Sequence, residues 1–348
     1  MNILVTGGAG YIGSHACKRL LAEGHRVVVI DNLRRGHEKP LELIRRLPGV
    51  RAQDLTFVRG DVGDRQLVAS LLHDHGIETV IHFAALAYVR ESTEQPLEYY
   101  RANTAAAVSL LEAIDTSAVT RLVFSSTCAT YGEAPPNLIP IREDCPQVPI
   151  NPYGWSKLFI ERMATDLSDV RRRSRRPIAV GMLRYFNVAG CDRTGVLGED
   201  HTPETHLIPI ILQVAMGRRD ALTIFGTDHA TPDGTCVRDY IHVEDLVDAH
   251  VAVMNALNPG AYDLRAYNLG IGKGLSIREI IASVERVTGR TIPVKDGPRH
   301  PGDPPTLYCD PSKIARELGW TASIKDIDQI VRSAWDWFRA NPDGYRGS

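Results

Sequence analysis

The chain has 348 residues, 43% of them hydrophobic, so it can bury a large core and fold as two lobes. Its 40 Lys and Arg residues nearly balance its 42 Asp and Glu residues, and a net charge of −2 excludes a global attraction to nucleic acid or anionic membrane. Six cysteines without ligand spacing favour a reduced, cytoplasmic protein. We predict no signal peptide and no membrane span, because Met1 and Asn2 lead directly into a strand and no apolar run is long enough.

The first half of the chain alternates short apolar runs with helical patterns. The predicted strands are Ile3–Val5, Val27–Ile30, Phe57–Val58, Val80–Phe83, Leu122–Phe124 and Ile178–Val180. Helical patterns such as Gln66 to His73 and Thr104 to Ile114 lie between them. This alternation predicts an α/β fold with a doubly wound parallel sheet of the Rossmann type, whose ligand site lies along the carboxyl ends of the strands.

The pattern loosens after about residue 190. A helix is predicted from His206 to Met216 and a short strand at Thr223–Phe225, separated by polar loops rich in Gly and Pro. We therefore assign residues 1–190 to the Rossmann domain and 191–348 to a smaller mixed α/β lobe. Segments near 238–268 are expected to return to the main sheet.

The first strand–helix junction is typical of a dinucleotide site. Gly7, Gly10 and Gly13 follow the first strand and precede a helix predicted to begin near Ser14. Such a turn lets backbone N–H groups approach a pyrophosphate at the helix N-terminus. Asp31 ends the second strand, where a carboxylate accepts a hydrogen bond from the ribose 2′-hydroxyl and repels a 2′-phosphate. We therefore predict NAD rather than NADP.

Tyr153 and Lys157 indicate the chemistry of the site. They lie about one helical turn apart, so the phenol and the ammonium share a face, and a nearby cation stabilises the phenolate. Ser125-Ser126-Thr127 ends an apolar run some twenty-five residues earlier. With the glycine turn, these residues predict a hydride-transfer site. The histidines add no metal motif, since His73 and His75 lack further ligands, and we predict no metal.

Several motifs follow one another along the chain, and the likeness that they carry covers nearly the whole chain. They are Thr6 to Gly13, His82-Phe83-Ala84-Ala85, Ser125-Ser126-Thr127 with Tyr131-Gly132, Asn151-Pro152-Tyr153, Arg184-Tyr185-Phe186-Asn187 and Arg238 to His242. Together they resemble the extended short-chain dehydrogenase/reductases, specifically the UDP-glucose (UDP-galactose) 4-epimerases. The resemblance implies a tightly held NAD, a UDP-sugar bound by the C-terminal lobe, and a homodimer.

The resemblance also assigns catalytic roles. Tyr153 would take the proton from the sugar 4-hydroxyl while hydride leaves C4 for the nicotinamide, and the 4-ketose would turn before the hydride returns. Lys157 would support the phenolate and bind the nicotinamide ribose. Thr127 would hydrogen-bond the 4-oxygen, at a position where the family more often has serine. The extra methyl of threonine bears on pocket shape rather than on mechanism.

The remaining site residues are carried over by the same resemblance. For NAD they are Gly7, Gly10, Tyr11, Ile12, Gly13, Asp31, Asn32, Asp61, Val62, Phe83, Ala84, Ala85, Asn103, Ser125, Tyr153, Lys157 and Tyr185. For the UDP-sugar they are Thr127, Tyr153, Asn187, His206, Leu207, Thr223, Phe225, Arg238, Arg299, Asp303 and Leu307. Arg238 and Arg299 would clamp the diphosphate. His206 stands where many relatives have asparagine, and core packing is the alternative for Leu207 and Phe225.

Leu307 lies at a position where the residue differs between family members that accept sugars of different size. A small residue there admits 2-N-acetylated sugars and a tyrosine excludes them, so leucine allows both outcomes; we favour hexoses without the N-acetyl group. Cys128 to Tyr131 and Ala85 to Val89 resemble relatives that include UDP-xylose/UDP-arabinose 4-epimerases, which keeps a pentose open.

Two competing functions differ in chemistry. A nucleotide-sugar 4,6-dehydratase needs an acid pair directly after the active-site threonine, and Cys128-Ala129 stands there instead. A non-catalytic NAD-binding regulator would not need to keep Tyr153 and Lys157. Assaying conversion of UDP-galactose to UDP-glucose distinguishes these functions.

Overall fold

The computed structural model describes residues 1–299 and 304–346. Contacts within this part of the chain separate two compact units. Unit 1 consists of Met1–Tyr131, Gln147–Arg184 and Val247–Tyr267, and unit 2 takes 132–146, 185–246 and the described residues from 268 onward. The domain boundary at residue 190 stays a prediction. Among the described residues, no helix has the length and apolar character that crossing a membrane requires.

The described part of the chain is built mainly from short strands and longer helices. The strands are β1 (Asn2–Thr6), β2 (Arg26–Asp31), β3 (Leu55–Arg59), β4 (Thr79–His82), β5 (Arg121–Thr127), β6 (Ala179–Tyr185), β7 (Asn187–Ala189), β8 (Leu222–Phe225), β9 (Val237–His242), β10 (Leu264–Leu269), β11 (Gly274–Ser276), β12 (Val294–Gly297) and β13 (Thr306–Leu307). The helices are α1 (Tyr11–Ala22), α2 (Lys39–Arg45), α3 (Arg65–Asp74), α4 (Val89–Glu94), α5 (Pro96–Tyr99), α6 (Ala106–Asp115), α7 (Pro152–Arg173), α8 (Leu207–Ala215), α9 (Val243–Ala256), α10 (Ile277–Thr288), α11 (Ser312–Leu318) and α12 (Ile327–Ala340), with a π-helical segment at Tyr100–Ala105 between α5 and α6.

A seven-stranded sheet forms the centre of the fold, in the order β10-β6-β5-β4-β1-β2-β3. The pairs β1–β2, β2–β3, β1–β4 and β4–β5 are parallel. The chain therefore builds outward from β1 to β3, crosses back to β4 on the other side of β1, and continues outward. The predicted doubly wound parallel sheet of the Rossmann type is confirmed. The edge strand β10 lies within the segment expected to return to this sheet, whereas β9 belongs to a different one.

Apolar strands buried on both faces make the core of this sheet. Leu4, Val28, Val80 and Leu122 are each less than 5% exposed, and Leu110 of α6 packs into the same cluster. Fully burying such a side chain contributes about 1.5–3 kcal/mol relative to leaving it in water. The continuous apolar runs in the sequence thus reflect helices covering both sides of the sheet.

Unit 2 contains smaller sheets. Strand β9 pairs with β11 antiparallel and with β13 and β7 in parallel, and β8 pairs with β12 in parallel. Helix α10 begins with a capping box, in which Ser276 and Glu279 each bind the other's backbone N–H. Trp337 of α12 is 1% exposed and packs directly on Gly198, where an added Cβ would lie 2.0 Å from the indole ring.

A buried ion pair joins three elements of unit 1. Glu161 of α7 accepts hydrogen bonds from Arg184 of β6 at 2.9 and 2.7 Å, and from Ser126 of β5 at 2.5 Å. Arg184 also donates to the Tyr131 hydroxyl at 2.9 Å. Burial disfavours the guanidinium charge, but the bonds to Glu161 hold the pKa of Arg184 above its ordinary value. The network fixes α7 against the ends of β5 and β6.

We expect Glu161→Ala to lower the free energy of unfolding by about 3–5 kcal/mol, because it leaves the buried Arg184 guanidinium without its carboxylate. Urea titration followed by circular dichroism measures the loss. The matched control is Glu94→Ala, which removes an exposed partner of Arg90 at 3.1 Å and should stay close to wild type. Equal effects of the two substitutions would contradict the role given to Glu161.

Candidate active site

The glycine turn at the end of β1 makes backbone contacts that leave no room for side chains. Gly7 has a φ of 72°, which favours glycine, and an added Cβ would lie 2.6 Å from the Ala84 nitrogen. A Cβ on Gly13 would lie 2.1 Å from the Gly7 carbonyl oxygen. Helix α1 begins at Tyr11, earlier than the predicted Ser14, since Gly13 must lie in the first helical turn to make this approach.

The first turn of α1 has the features of an anion site. Its N-cap, Gly10, has no side chain to cap the first N–H groups, and N–H groups at a helix start are typical ligands of anions. The structure thus provides the small-residue cradle that a dinucleotide pyrophosphate requires. The residues present fit NAD, and their individual contacts with it stay predictions.

Asp31 lies beside this turn at the end of β2. Its carboxylate accepts hydrogen bonds from the Ala9 nitrogen at 3.0 Å and the Leu33 nitrogen at 2.8 Å. Burial raises the pKa of Asp31, and the two backbone bonds act in the opposite direction. Asn32 next to it donates to Asp61 at 2.8 Å. The acid is therefore anchored against the glycine turn, as the predicted ribose contact requires.

The end of β4 supports the segment Phe83-Ala84-Ala85. Thr6 Oγ1 lies 2.7 Å from His82 Nδ1 and accepts from the Ala84 nitrogen at 3.3 Å. Burial lowers the pKa of His82 to about 3, and the charge of Lys157 acts in the same direction. The Phe83 ring lies 4.9 Å from the ring of His250. A neutral, buried histidine therefore holds the strand end in place.

Helix α7 carries the predicted catalytic pair. Asn151 caps the helix by accepting from the Gly154 nitrogen at 2.8 Å, and Pro152 occupies its first position. Tyr153 and Lys157 are 6% and 2% exposed. The Lys157 ammonium donates to the Ser125 carbonyl oxygen at 2.8 Å, which ties the helix to the end of β5.

Burial alters the acidity of Lys157. It lowers the pKa to about 7, while the Glu161 carboxylate acts to raise it. Lys157 is therefore charged below about pH 7 and neutral above it in the protein alone. The support that its charge gives to a Tyr153 phenolate is expected to weaken as the pH rises through this value.

Thr127 begins a short turn next to the same helix. Its Oγ1 accepts from the Ala129 nitrogen at 3.1 Å, so Thr127 caps this turn. Gly154 packs on the turn so closely that an added Cβ would lie 2.4 Å from the Ala129 oxygen. The hydroxyl keeps a proton to donate while it accepts, so capping is compatible with the predicted contact to a sugar oxygen.

Tyr99 and Asn103 support the part of α7 that carries Tyr153, and no local pattern in the sequence indicated this role. The Tyr99 ring is fully buried and meets the Tyr153 ring edge-on at 6.4 Å between centroids. Asn103, predicted to contact NAD, binds Leu86 N and O through both ends of its amide and also donates to Ser156 Oγ at 3.0 Å. Asn103 thus braces the helix turn that carries Tyr153.

Unit 2 presents the predicted nucleotide contacts on exposed strand positions. Thr223 and Phe225 lie on the outer face of β8, where Phe225 is 37% exposed, so this ring does not pack in the core. Arg299 donates from Nε to Asp228 Oδ1 at 2.6 Å and from Nη2 to the Asp228 carbonyl. Asp228, which was not predicted, would compete with a diphosphate for this guanidinium. Asp303 lies outside the described residues.

The other predicted sugar contacts belong to neighbouring elements of unit 2. Leu307 of β13 pairs with Arg238 of β9 and is 8% exposed. Asn187 begins β7, which pairs with the other end of β9. His206 immediately precedes α8, and Leu207 is its first residue. Their contacts with a UDP-sugar stay predictions.

Known proteins are similar to this chain in sequence. Residues 3–270 match the family model of the NAD dependent epimerase/dehydratase family. A UDP-glucose 4-epimerase of Halalkalibacterium halodurans is 45% identical over 349 residues, covering 99% of this chain and 98% of that protein. A protein of Oryza sativa named probable UDP-arabinose 4-epimerase 1 is 44% identical and covers 99% of this chain and 81% of its own length.

A solved structure agrees closely with the fold. UDP-glucose-4-epimerase from Stenotrophomonas maltophila, with bound NAD and formylated UDP-arabinopyranose, superposes with a TM-score of 0.91 at 39% identity and covers 98% of this chain and 99% of its own. The family match, the identity along the full length and the shared architecture agree. The chain belongs to the NAD-dependent epimerase/dehydratase family.

Proposed function

We propose that the protein interconverts UDP-glucose and UDP-galactose with NAD as its cofactor. The observation that carries this proposal is the 45% identity over 99% of the chain with a UDP-glucose 4-epimerase. The glycine turn with Asp31 and the buried Tyr153 and Lys157 on α7 are the local features that support it. A dehydratase is disfavoured because Cys128 and Ala129 stand where that enzyme needs a pair of acidic residues.

The mechanism assigns one task to each of three side chains. Tyr153 accepts the proton of the sugar 4-hydroxyl and later returns it to the same oxygen. Lys157 stabilises the phenolate, and Thr127 donates a hydrogen bond to O4 as charge develops there. NAD held by the glycine turn and Asp31 would supply the acceptor, and then the donor, of the hydride at C4 of the sugar. Between these steps the 4-keto sugar turns, so its opposite face is reduced and no net oxidation occurs.

We expect Tyr153→Phe to reduce turnover of UDP-galactose at least about a hundredfold, because the ring stays while the proton acceptor is removed. Coupled detection of UDP-glucose measures the loss, and retained NAD, released by denaturing the pure protein, confirms an intact site. Thr127→Val should cost less, and Thr127→Ser should stay close to wild type. Wild-type turnover in Tyr153→Phe would refute the assignment.

Leu307 is proposed to limit the size of the sugar 2-substituent. The wild type should prefer UDP-glucose over UDP-N-acetylglucosamine about ten- to two-hundredfold, since steric fits of this size discriminate only modestly. Leu307→Ala should raise relative activity on the N-acetyl sugar, and Leu307→Tyr should remove it. UDP-xylose assayed alongside tests the pentose alternative.

The matched control for Leu307 is Leu275→Ala. Leu275 of β11 pairs with Arg238 from the other side of β9 and is 4% exposed. Its truncation removes the same volume next to the same arginine, so it should lower the melting temperature without altering the ratio of sugars. If Leu307→Ala behaves identically, Leu307 is a core residue and does not select the substrate.

We also propose that the protein is a cytoplasmic homodimer. All six cysteines are buried and none forms a disulfide, which agrees with a reducing compartment. Tyr100, Trp155 and Phe159 form an aromatic face where α7 meets the π-helical segment, with ring centroids 6.2 and 5.7 Å apart. Trp155 and Phe159 are 37% and 41% exposed. A second copy of the chain would remove this apolar surface from water.

Light scattering on eluting protein tests the homodimer. The wild type should have twice the mass of the chain, and Phe159→Glu should shift it toward the monomer, because a buried unpaired charge opposes association. Val294→Glu is the control, since Val294 of β12 is similarly exposed at 43% but lies in unit 2. A monomeric wild type, or a dimer unaffected by Phe159→Glu, would contradict the proposed interface.

A further inference from the structure

Four side chains with metal-ligand atoms converge between β7 and α8. Glu199, His201, Glu204 and His206, named the Glu/His cluster, each offer one ligand atom, and these atoms lie within 4.8 Å of one another. His201 Nδ1 lies 3.3 Å from Glu199 Oε1 and 3.6 Å from Glu204 Oε2. His206 Nδ1 lies 3.0 Å from Glu199 Oε1 and 3.0 Å from Glu204 Oε1. Two imidazole nitrogens and two carboxylates therefore surround one point.

The separations around Glu199 are close to those between the ligands of a tetrahedral ion. Bonds of about 2.0–2.2 Å from zinc to nitrogen and oxygen place neighbouring ligand atoms about 3.4 Å apart. Glu199 Oε1 lies 3.3 and 3.0 Å from the two histidine nitrogens, which is close to this value. Each histidine nitrogen also lies within 3.6 Å of Glu204, but of a different carboxylate oxygen, so the Glu204 carboxylate would turn to offer one oxygen to an ion. The donor set of two imidazoles and two carboxylates suits zinc better than calcium or magnesium, which prefer oxygen ligands alone.

A second observation concerns the burial of Glu199 within the cluster. Its side chain is 3% exposed, and the buried Oε1 atom, which faces both histidines, has no hydrogen-bond donor with suitable geometry. A buried carboxylate is costly unless a cation compensates it, and either a bound metal ion or the two histidines in their protonated form can do so. His206 is 39% exposed, so the cluster is open to solvent on one side and an ion can enter.

The backbone around the cluster is held by residues that do not belong to it. The Tyr345 hydroxyl accepts from the Gly198 nitrogen at 2.7 Å, and the Tyr345 nitrogen donates to Asp200 Oδ2 at 2.9 Å. Arg346 donates to Thr202 Oγ1 at 2.6 Å. The residues flanking Glu199 and His201 are therefore fixed by the C-terminal turn, which favours a preformed site over a chance approach of flexible side chains.

We propose that the Glu/His cluster is a structural binding site for Zn²⁺. The ion would connect the 199–204 loop to His206, the residue before α8, and so fix the start of that helix. The cluster contains none of the predicted NAD or catalytic residues, but it shares His206 with the predicted UDP-sugar contacts. Its occupancy can be measured without an activity assay. The alternative is an ion-pair cluster, in which protons on the histidines replace the metal.

Zinc binding to tag-free, chelator-treated protein tests the proposal. Calorimetry with ZnCl₂ should show one ion per chain, and CoCl₂ should give the intense visible absorption of tetrahedral cobalt. Glu199→Gln and His201→Gln should each weaken binding at least about tenfold. Zinc should raise the melting temperature of the wild type and not that of the two variants.

The control is His73→Gln, which removes a histidine that is 90% exposed on α3 and should leave zinc binding unchanged. Far-ultraviolet circular dichroism of each metal-free variant distinguishes lost binding from lost folding. The proposal is overturned if the wild type binds no zinc, which identifies an ion-pair cluster. It is equally overturned if Glu199→Gln and His201→Gln bind zinc as the wild type does.

Discussion

The buried carboxylate of Glu161 holds together the elements that carry the chemistry of this protein. It binds Arg184 of β6 and Ser126 of β5 from a position one turn beyond Lys157 on α7. Lys157 in turn binds the carbonyl of Ser125. Neighbouring residues of one strand are thus bound by neighbouring turns of one helix. These two attachments fix the position of α7 along β5. They therefore also fix the positions of Tyr153 and Thr127 relative to each other.

The predicted dinucleotide site of unit 1 depends on close contacts between backbone segments and not on ion pairs. Gly7 and Gly13 let the glycine turn and the first helical turn of α1 approach each other more closely than any side chain would allow. Asp31 then binds the backbone of this turn. Because β1 and β4 are adjacent in the sheet, Ala84 lies against Gly7, and the predicted cofactor contacts from separate loops gather along one edge.

Unit 2 is organised around β9 and the loops beside it. Arg238 lies between Leu275 and Leu307, which makes one arginine the neighbour of two buried leucines with different proposed roles. Arg299 is paired with Asp228. A diphosphate with two charged groups would offer this guanidinium a stronger partner than a single exposed carboxylate. The Glu/His cluster adds a third group of polar residues within the same unit.

The sequence by itself determined the features that depend on local spacing. Apolar runs located six strands of the central sheet, whereas the glycine turn with Asp31 and the pair Tyr153 and Lys157 are the local signals on which the predictions of the cofactor site and the proton chemistry rest. Each of these signals lies within a few residues or repeats with the period of a strand or helix, so periodicity and turn chemistry suffice to find it.

Only the tertiary structure decided which distant residues meet. Glu161 is separated from Ser126 by 35 residues and from Arg184 by 23, so no local pattern indicated their network. The spacing of Glu199, His201, Glu204 and His206 was present in the sequence but matched no known ligand motif, and no metal was predicted. Their convergence depends on an irregular loop held by Tyr345 and Arg346 from the other end of unit 2. Such contacts arise from packing between segments that are distant in the chain, and this packing leaves no periodic pattern in the sequence.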